Sequence, residues 1–147
     1  MSIAIDQAFT NTILNGGLDI DVVHENGLYS EWNGSSYDHH SGPYVPEAES
    51  EFCELKAFPA NTGPLSLADT DENVGIFQAI LFYPADVAAH TIKTKAEAVL
   101  DLFVIGAKIT YASQDVIIDA KTRDGGRIEG GYYQIVIRVN YTAYVSR

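Results

Sequence analysis

The imidazoles, the single thiol and the carboxylates are the side chains of this 147-residue sequence best equipped for chemistry. His39 and His40 stand together behind Asp38 in the run "SSYDHHSGPY". Adjacent loop residues do not converge on one ion as the histidines of H-E-x-x-H do, and no cysteine or third histidine lies close by. The pair therefore reads as exposed loop residues, and His24 and His90 are isolated. Cys53 alternates with charged neighbours in "EFCELKAF", the setting of a small buried hydrophobe rather than a nucleophile. As the only cysteine it excludes an intrachain disulfide and suits a reducing compartment. The glycine-rich "RDGGRIEGG" lies between strand-like segments, not ahead of a helix, so it aims no helix N-terminus at a phosphate and reads as a hairpin turn. G-x-S-x-G, P-loop and G-x-G-x-x-G patterns are absent from the sequence. Facing carboxylates of the glycosidase kind are not legible in linear order. The sequence thus points to no catalytic residue, no cofactor and no metal.

Charge says more. The net charge is −11, with ten acids and no Lys or Arg in residues 1–55, then ten acids against nine bases in the remainder. A nucleic-acid grip needs clustered Lys and Arg to displace counterions, and this distribution argues against one. Two readings of the acidic half stay open. It is a solvated face that keeps the protein soluble, or a surface that repels a polyanion or docks on a basic partner.

The elements that position these residues follow from periodicity. One domain over residues 1–147 is expected, since the length and a 46% hydrophobic content suffice for a real core. No apolar run is long enough to span a bilayer, and "MSIAIDQAFTNTIL" carries no secretory-signal pattern. Ser2 as N-cap and Ile5, Phe9 and Ile13 every fourth residue predict a first helix, stopped by Gly16–Gly17. "LDIDVVHENG" is a short alternating stretch ending in a turn at Asn26–Gly27. Residues 28–50 show no period and read as a long loop, in which Tyr29, Trp32, Tyr37 and Tyr44 form either a lid over the sheet or a protein contact. Residues 51–58 read as a strand, and 59–74, with Pro59, Gly63 and Pro64, as a second extended loop. "IFQAILFY" (76–83), apolar on both faces apart from Gln78, predicts a central, doubly covered strand. Pro84 ends it, and Ala89, Ile92, Ala96, Val99 or Leu100, and Phe103 mark one side of a helix lying on a sheet. "KITYA", "DVIIDAKT" and the sharply alternating "YYQIVIRVNYTAYV" (132–145) complete the strands. The last far exceeds the usual five or six residues, so it bends or pairs outside its own sheet. The order predicts an α+β fold: a mostly antiparallel β-sheet with two α-helices packed on one face, and long loops.

The order and spacing of these segments resemble the bacteriophage tail terminator family of long-tailed, non-contractile phages. The likeness is carried by "AIDQAFTNTIL", "HENG", "GPYVPEAESEFCELKAF", "VGIFQAILFYPA", "AEAVLDLF" and "EGGYYQIVIRVNYTAY", and it spans nearly the whole chain. The acid- and aromatic-rich stretch at 28–50 departs from it in being longer.

The resemblance implies a structural virion protein, not an enzyme, assembled in the host bacterial cytoplasm and placed in the neck region of the tail. It would form a homo-oligomeric ring, commonly hexameric, on the head-proximal end of the tail tube. The ring would end tube polymerisation and offer a surface to the head–tail connector, with DNA passing through unbound and no membrane involved. Trp32 and Tyr37 are the candidate interface residues. Glu47, Glu49, Glu51, Asp69, Asp71 and Glu72 are the candidates to face the channel or the tube. A head–tail connector or tail-completion protein is the nearer alternative, and a small α+β hydrolase or metal-binding domain using His39 or His40 the more distant one.

Overall fold

A computed structural model describes residues 3–25, 28–46, 50–64, 70–86 and 89–146. Ser2, the Asn26–Gly27 turn, Glu47, Glu49 and Asp69 fall outside the described residues. The chain runs α1 (Ile3–Leu14), β1 (Asp21–Val23), β2 (Tyr29–Trp32), β3 (Tyr37–His40), β4 (Phe52–Pro64), β5 (Thr70–Pro84), α2 (Ala89–Asp101), β6 (Lys108–Tyr111), β7 (Gln114–Arg123), β8 (Arg127–Glu129) and β9 (Tyr132–Ser146). The strands form one sheet in the order β3-β2-β1-β4-β5-β9-β7-β6, with β8 pairing on β9. Every described pairing is antiparallel except β1 with β4. The protein is α+β with a largely antiparallel sheet.

Three expectations are corrected. The stretch 28–50 is not a continuous loop, because β2 and β3 form a hairpin in it, in register Tyr29↔His40 to Trp32↔Tyr37. Asn33 closes this hairpin: its side-chain oxygen accepts the N–H groups of Ser35 and Ser36, an Asx-type turn. Residues 59–74 are likewise mostly strand, since β4 continues to Pro64 and β5 begins at Thr70. The ladder tolerates Pro59 because its register shifts between Pro59 and Thr62, the kind of irregularity where strand prolines are admitted. The long last strand stays within its own sheet, pairing with β5 from Tyr132↔Pro84 to Ser146↔Thr70.

β5 is central, between β4 and β9, but its two faces differ. Phe77, Ala79, Leu81 and Tyr83 are buried, while Ile76, Gln78, Ile80 and Phe82 on the other face are half-buried, so coverage is unequal. One hydrophobic cluster runs from Ile5 to Ala143 and includes Phe9, Phe77, Ile92, Val99, Phe103, Ile137 and Tyr141. Phe9 of α1 stacks on Phe77 with centroids 4.4 Å apart and also meets Phe103 and Tyr141. From α2, Ile92, Ala96, Val99 and Leu100 are buried, but Ala89 is exposed. The Lys121 ammonium of β7 donates to the Leu100 carbonyl at 2.8 Å, and Arg123 pairs with Glu97 at 2.6 Å.

Candidate functional site

Between α1, the β2–β3 hairpin and β4 lies a cavity of about 670 Å³. Its apolar wall comprises Leu14, Leu28, Leu55, Ala57 and Phe77, and its polar wall Asp6, Glu25, His24, His39, His40 and Lys56. The hairpin that the sequence concealed is what brings the histidines here. His39 and His40 sit in β3 rather than in a loop, His39 exposed and His40 half-buried, and His24 is not isolated. Ser30, wholly buried in β2, bridges two rings: its hydroxyl lies 2.8 Å from His24 Nε2 and 2.7 Å from His39 Nδ1. A hydroxyl has one proton to give and two lone pairs, so it donates to at most one imidazole and accepts an N–H from the other or from both. His40 instead stacks on Tyr29, with centroids 4.8 Å apart, and lies 3.8 Å from the Glu31 carboxylate.

A serine between histidines resembles a nucleophile with its base, but Ser30 has no exposed surface and no substrate carbonyl can reach its oxygen. The trio ties β1, β2 and β3 together instead. Burial, and secondarily the charge of His39, lowers the His24 pKa below its ordinary value. Across the cavity, burial and the neighbouring Glu25 raise the Asp6 carboxyl. Glu25 itself accepts the backbone N–H of Ala57 at 3.1 Å, satisfying a donor on β4 beyond the three residues that pair with β1. The described residues contain no group of three or more His, Cys, Asp or Glu placed to hold a metal ion. Cys53 is fully buried and its thiol is pushed up to about 12 by burial, the environment of an inert core cysteine.

The aromatics of residues 28–50 are mostly occupied within the chain. Tyr37 donates its hydroxyl to the Ile20 carbonyl at 2.9 Å and packs against Trp32. Tyr44 donates to Asp21, whose other oxygen accepts the Trp32 N–H, both at 2.9 Å. Of the acidic candidates, Asp71 and Glu72 open β5, opposite Pro64 and Gly63. Glu51 is exposed just before the other end of β4. At about 3.3 Å per strand residue these positions are on the order of 40 Å apart, so the acids do not form one cluster. The cavity was missed in the sequence because its walls come from residues 6 to 77, joined only by strand pairing. Glu25 three residues ahead of an apolar Leu28, amid "VVHENGLYS", is the faint local signal that remains.

Among the described residues, no helix is long and apolar enough to cross a membrane. What the fold defines is an α+β protein built on one large, mostly antiparallel sheet. A model of the family described as "Phage tail terminator protein" matches residues 39–141, well over half of the chain, and the chain belongs to that family. The family is a structural one, so the protein is a component of the phage tail that contacts other tail and head proteins. One solved structure, 14% identical, covers 95% of this chain and 92% of its own at a TM-score of 0.69, a likeness of fold alone. No curated protein sequence matches the chain significantly.

Proposed function

We propose that residues 1–147 form a single tail-terminator domain whose copies close a hexameric ring on the head-proximal end of the tail tube. The ring ends tube polymerisation, offers a surface to the head–tail connector, and lets DNA pass without binding it. The reading makes the protein a non-enzymatic part of a long-tailed, non-contractile virion, assembled in the host cytoplasm. The observation that carries it is the family match over residues 39–141. Two others support it: the lack of any Lys or Arg in the first 55 residues, which suits a conduit for a polyanion, and the inaccessible Ser30.

We also infer that both helices cover the same face of the sheet. The stacking of Phe9 on Phe77 and the reach of Lys121 to Leu100 support this, because Phe77 pairs with Val139 and Lys121 pairs with Val139 from the other side. The opposite face, with Ile76, Ile80 and Phe82, is then left for contacts within the particle.

The deciding experiment is electron microscopy of lysates from the parent phage with an early stop codon in this gene. Overlong, headless tubes are the expected result. Tails of normal length that fail to join heads would move the protein to a completion or connector role, and normal virions would overturn the reading.

A further inference from the structure

The charge asymmetry of the sequence becomes directional in the fold. The acid-only residues 1–55 build α1 and the β3-β2-β1 end of the strand order, whereas β7 and β6 form the other end. Two acidic ends repel each other, so a two-fold contact through them is disfavoured, and each must meet a different surface of its neighbour. The cavity opens in the acidic part. It offers an apolar wall of Leu14, Leu55 and Phe77 beside the carboxylates of Asp6 and Glu25. Asp6 Oδ1 is buried and has no hydrogen-bond partner among the described residues.

A matching knob exists between α2 and β6. Val104 and Ile105, 59% and 58% exposed, are large aliphatic side chains standing in solvent. Gly106 follows with φ of 84°, and its N–H is held by the Ile118 carbonyl at 2.7 Å, which fixes the corner. Lys108, at the start of β6, has a side chain 61% exposed. Its ion pair with Asp115, at 3.8 Å, is exposed on both sides and therefore weak enough to be exchanged. The knob is aliphatic with a cation beside it, and the cavity is apolar with two carboxylates beside it against one lysine, Lys56. α1 supplies one wall of the cavity and packs against β6 as well, so both surfaces belong to one rigid unit.

We propose that the Val104–Ile105 corner of one copy inserts into the α1–β2 cavity of the next, with Lys108 meeting the Asp6 and Glu25 carboxylates. A pocket and a complementary knob at different places on one molecule make a heterologous contact, which closes into a ring when the rotation permits. The inference deepens the ring reading and rests on it only for closure; the contact itself is tested independently.

The test uses two full-length variants, Ile105→Cys and Gln7→Cys, the latter on the cavity wall. Buried Cys53 does not compete for the cross-link. Under mild oxidation a covalent dimer is expected in the mixture of the two proteins and in neither alone, and the double variant should give a ladder of covalent oligomers. Ile105→Asp should weaken self-association at least tenfold with an unchanged circular dichroism spectrum, since the side chain is exposed. A dimer of equal yield from either variant alone would show a two-fold contact and overturn the proposal. So would the absence of a mixed cross-link at concentrations where light scattering shows oligomers, or up to millimolar protein if it shows none. Normal virions from the stop-codon phage would remove the ring reading without altering the cross-linking result, so the two failures are separable.

Discussion

His24 and Ser30 show how a residue's role is set by what folds around it. Neither lies in a motif, yet Ser30 is sealed between two imidazoles and joins three short strands that would be marginal alone. Desolvation, and secondarily the charge of His39, disfavours the cationic form of His24, so it holds its proton less readily in the fold than an unfolded histidine does near 6.5. The unfolded state therefore binds more protons, and the contribution of His24 is complete above about 6.5 and lost as pH falls below it. Other titratable groups also line the cavity: Asp6 on α1, Glu25, His39 and His40, and Lys56 on β4. Asp6, with its raised pKa, acts in the opposite sense, so the His24 contribution is isolated by comparing the protein with a variant that lacks that ring. Urea unfolding should give a falling stability from pH 7 to 5, and His24→Gln should flatten that slope. A slope unchanged in the variant would assign the effect elsewhere.

At the scale of elements, the outcome depended on whether a segment's neighbours were visible in its own sequence. The alternation of "YYQIVIRVNYTAYV" and the three-and-four spacing in α2 are local signals, and both elements lie where they predict. The hairpin of β2 and β3 carries no alternation, because Trp32 packs on Tyr37, and Tyr29 on Tyr44 and His40, instead of filling one side of a sheet. The arm of β4 and β5 was hidden by Pro59, Gly63 and Pro64. It forms because β9 extends far enough to pair with β5 down to Thr70, a partner some seventy residues away in the chain. The β6–β7 hairpin gives a sharper lesson. Its two turn residues, Ala112 and Ser113, both adopt positive φ (50° and 67°), the geometry that favours Asn-Gly in two-residue hairpins. A left-handed conformation costs a non-glycine residue roughly 1–2 kcal/mol. The pair Ala112→Asn and Ser113→Gly should therefore stabilise the protein by about 1 kcal/mol, read as a rise in Tm at an unchanged oligomeric state. A fall in Tm would mean that the Ala112 or Ser113 side chain contributes more than its strain removes.

At the scale of the whole molecule, charge has to serve two requirements at once. Copies must adhere, and a polyanion must not. A net charge of −11 would oppose both self-association and DNA binding if it were uniform. Its segregation along the chain relieves the conflict, because the acid-only half can face the near-neutral surface of a neighbour while acids elsewhere face the DNA. The cavity acids Asp6 and Glu25 suit the first task. The second is assigned in this reading to acids away from the cavity, and Asp71 and Glu72 at the start of β5 are suitably placed for it. In a ring, replacing both by Lys changes the charge by four in every subunit, turning a repulsive collar into a phosphate-binding one. Each phosphate contact then adds to retention and to its salt dependence, with a slope of about −0.9 per contact in log K against log salt. Phage carrying Asp71→Lys and Glu72→Lys should therefore build tails of normal length but release DNA at least about tenfold more slowly in low salt, with recovery as salt rises. Ejection followed by dye fluorescence would measure this. Normal release at low salt from tails shown to contain the variant would place these two carboxylates away from the DNA path. Overlong tubes would instead place them at the contact with the tube or with the neighbouring subunit.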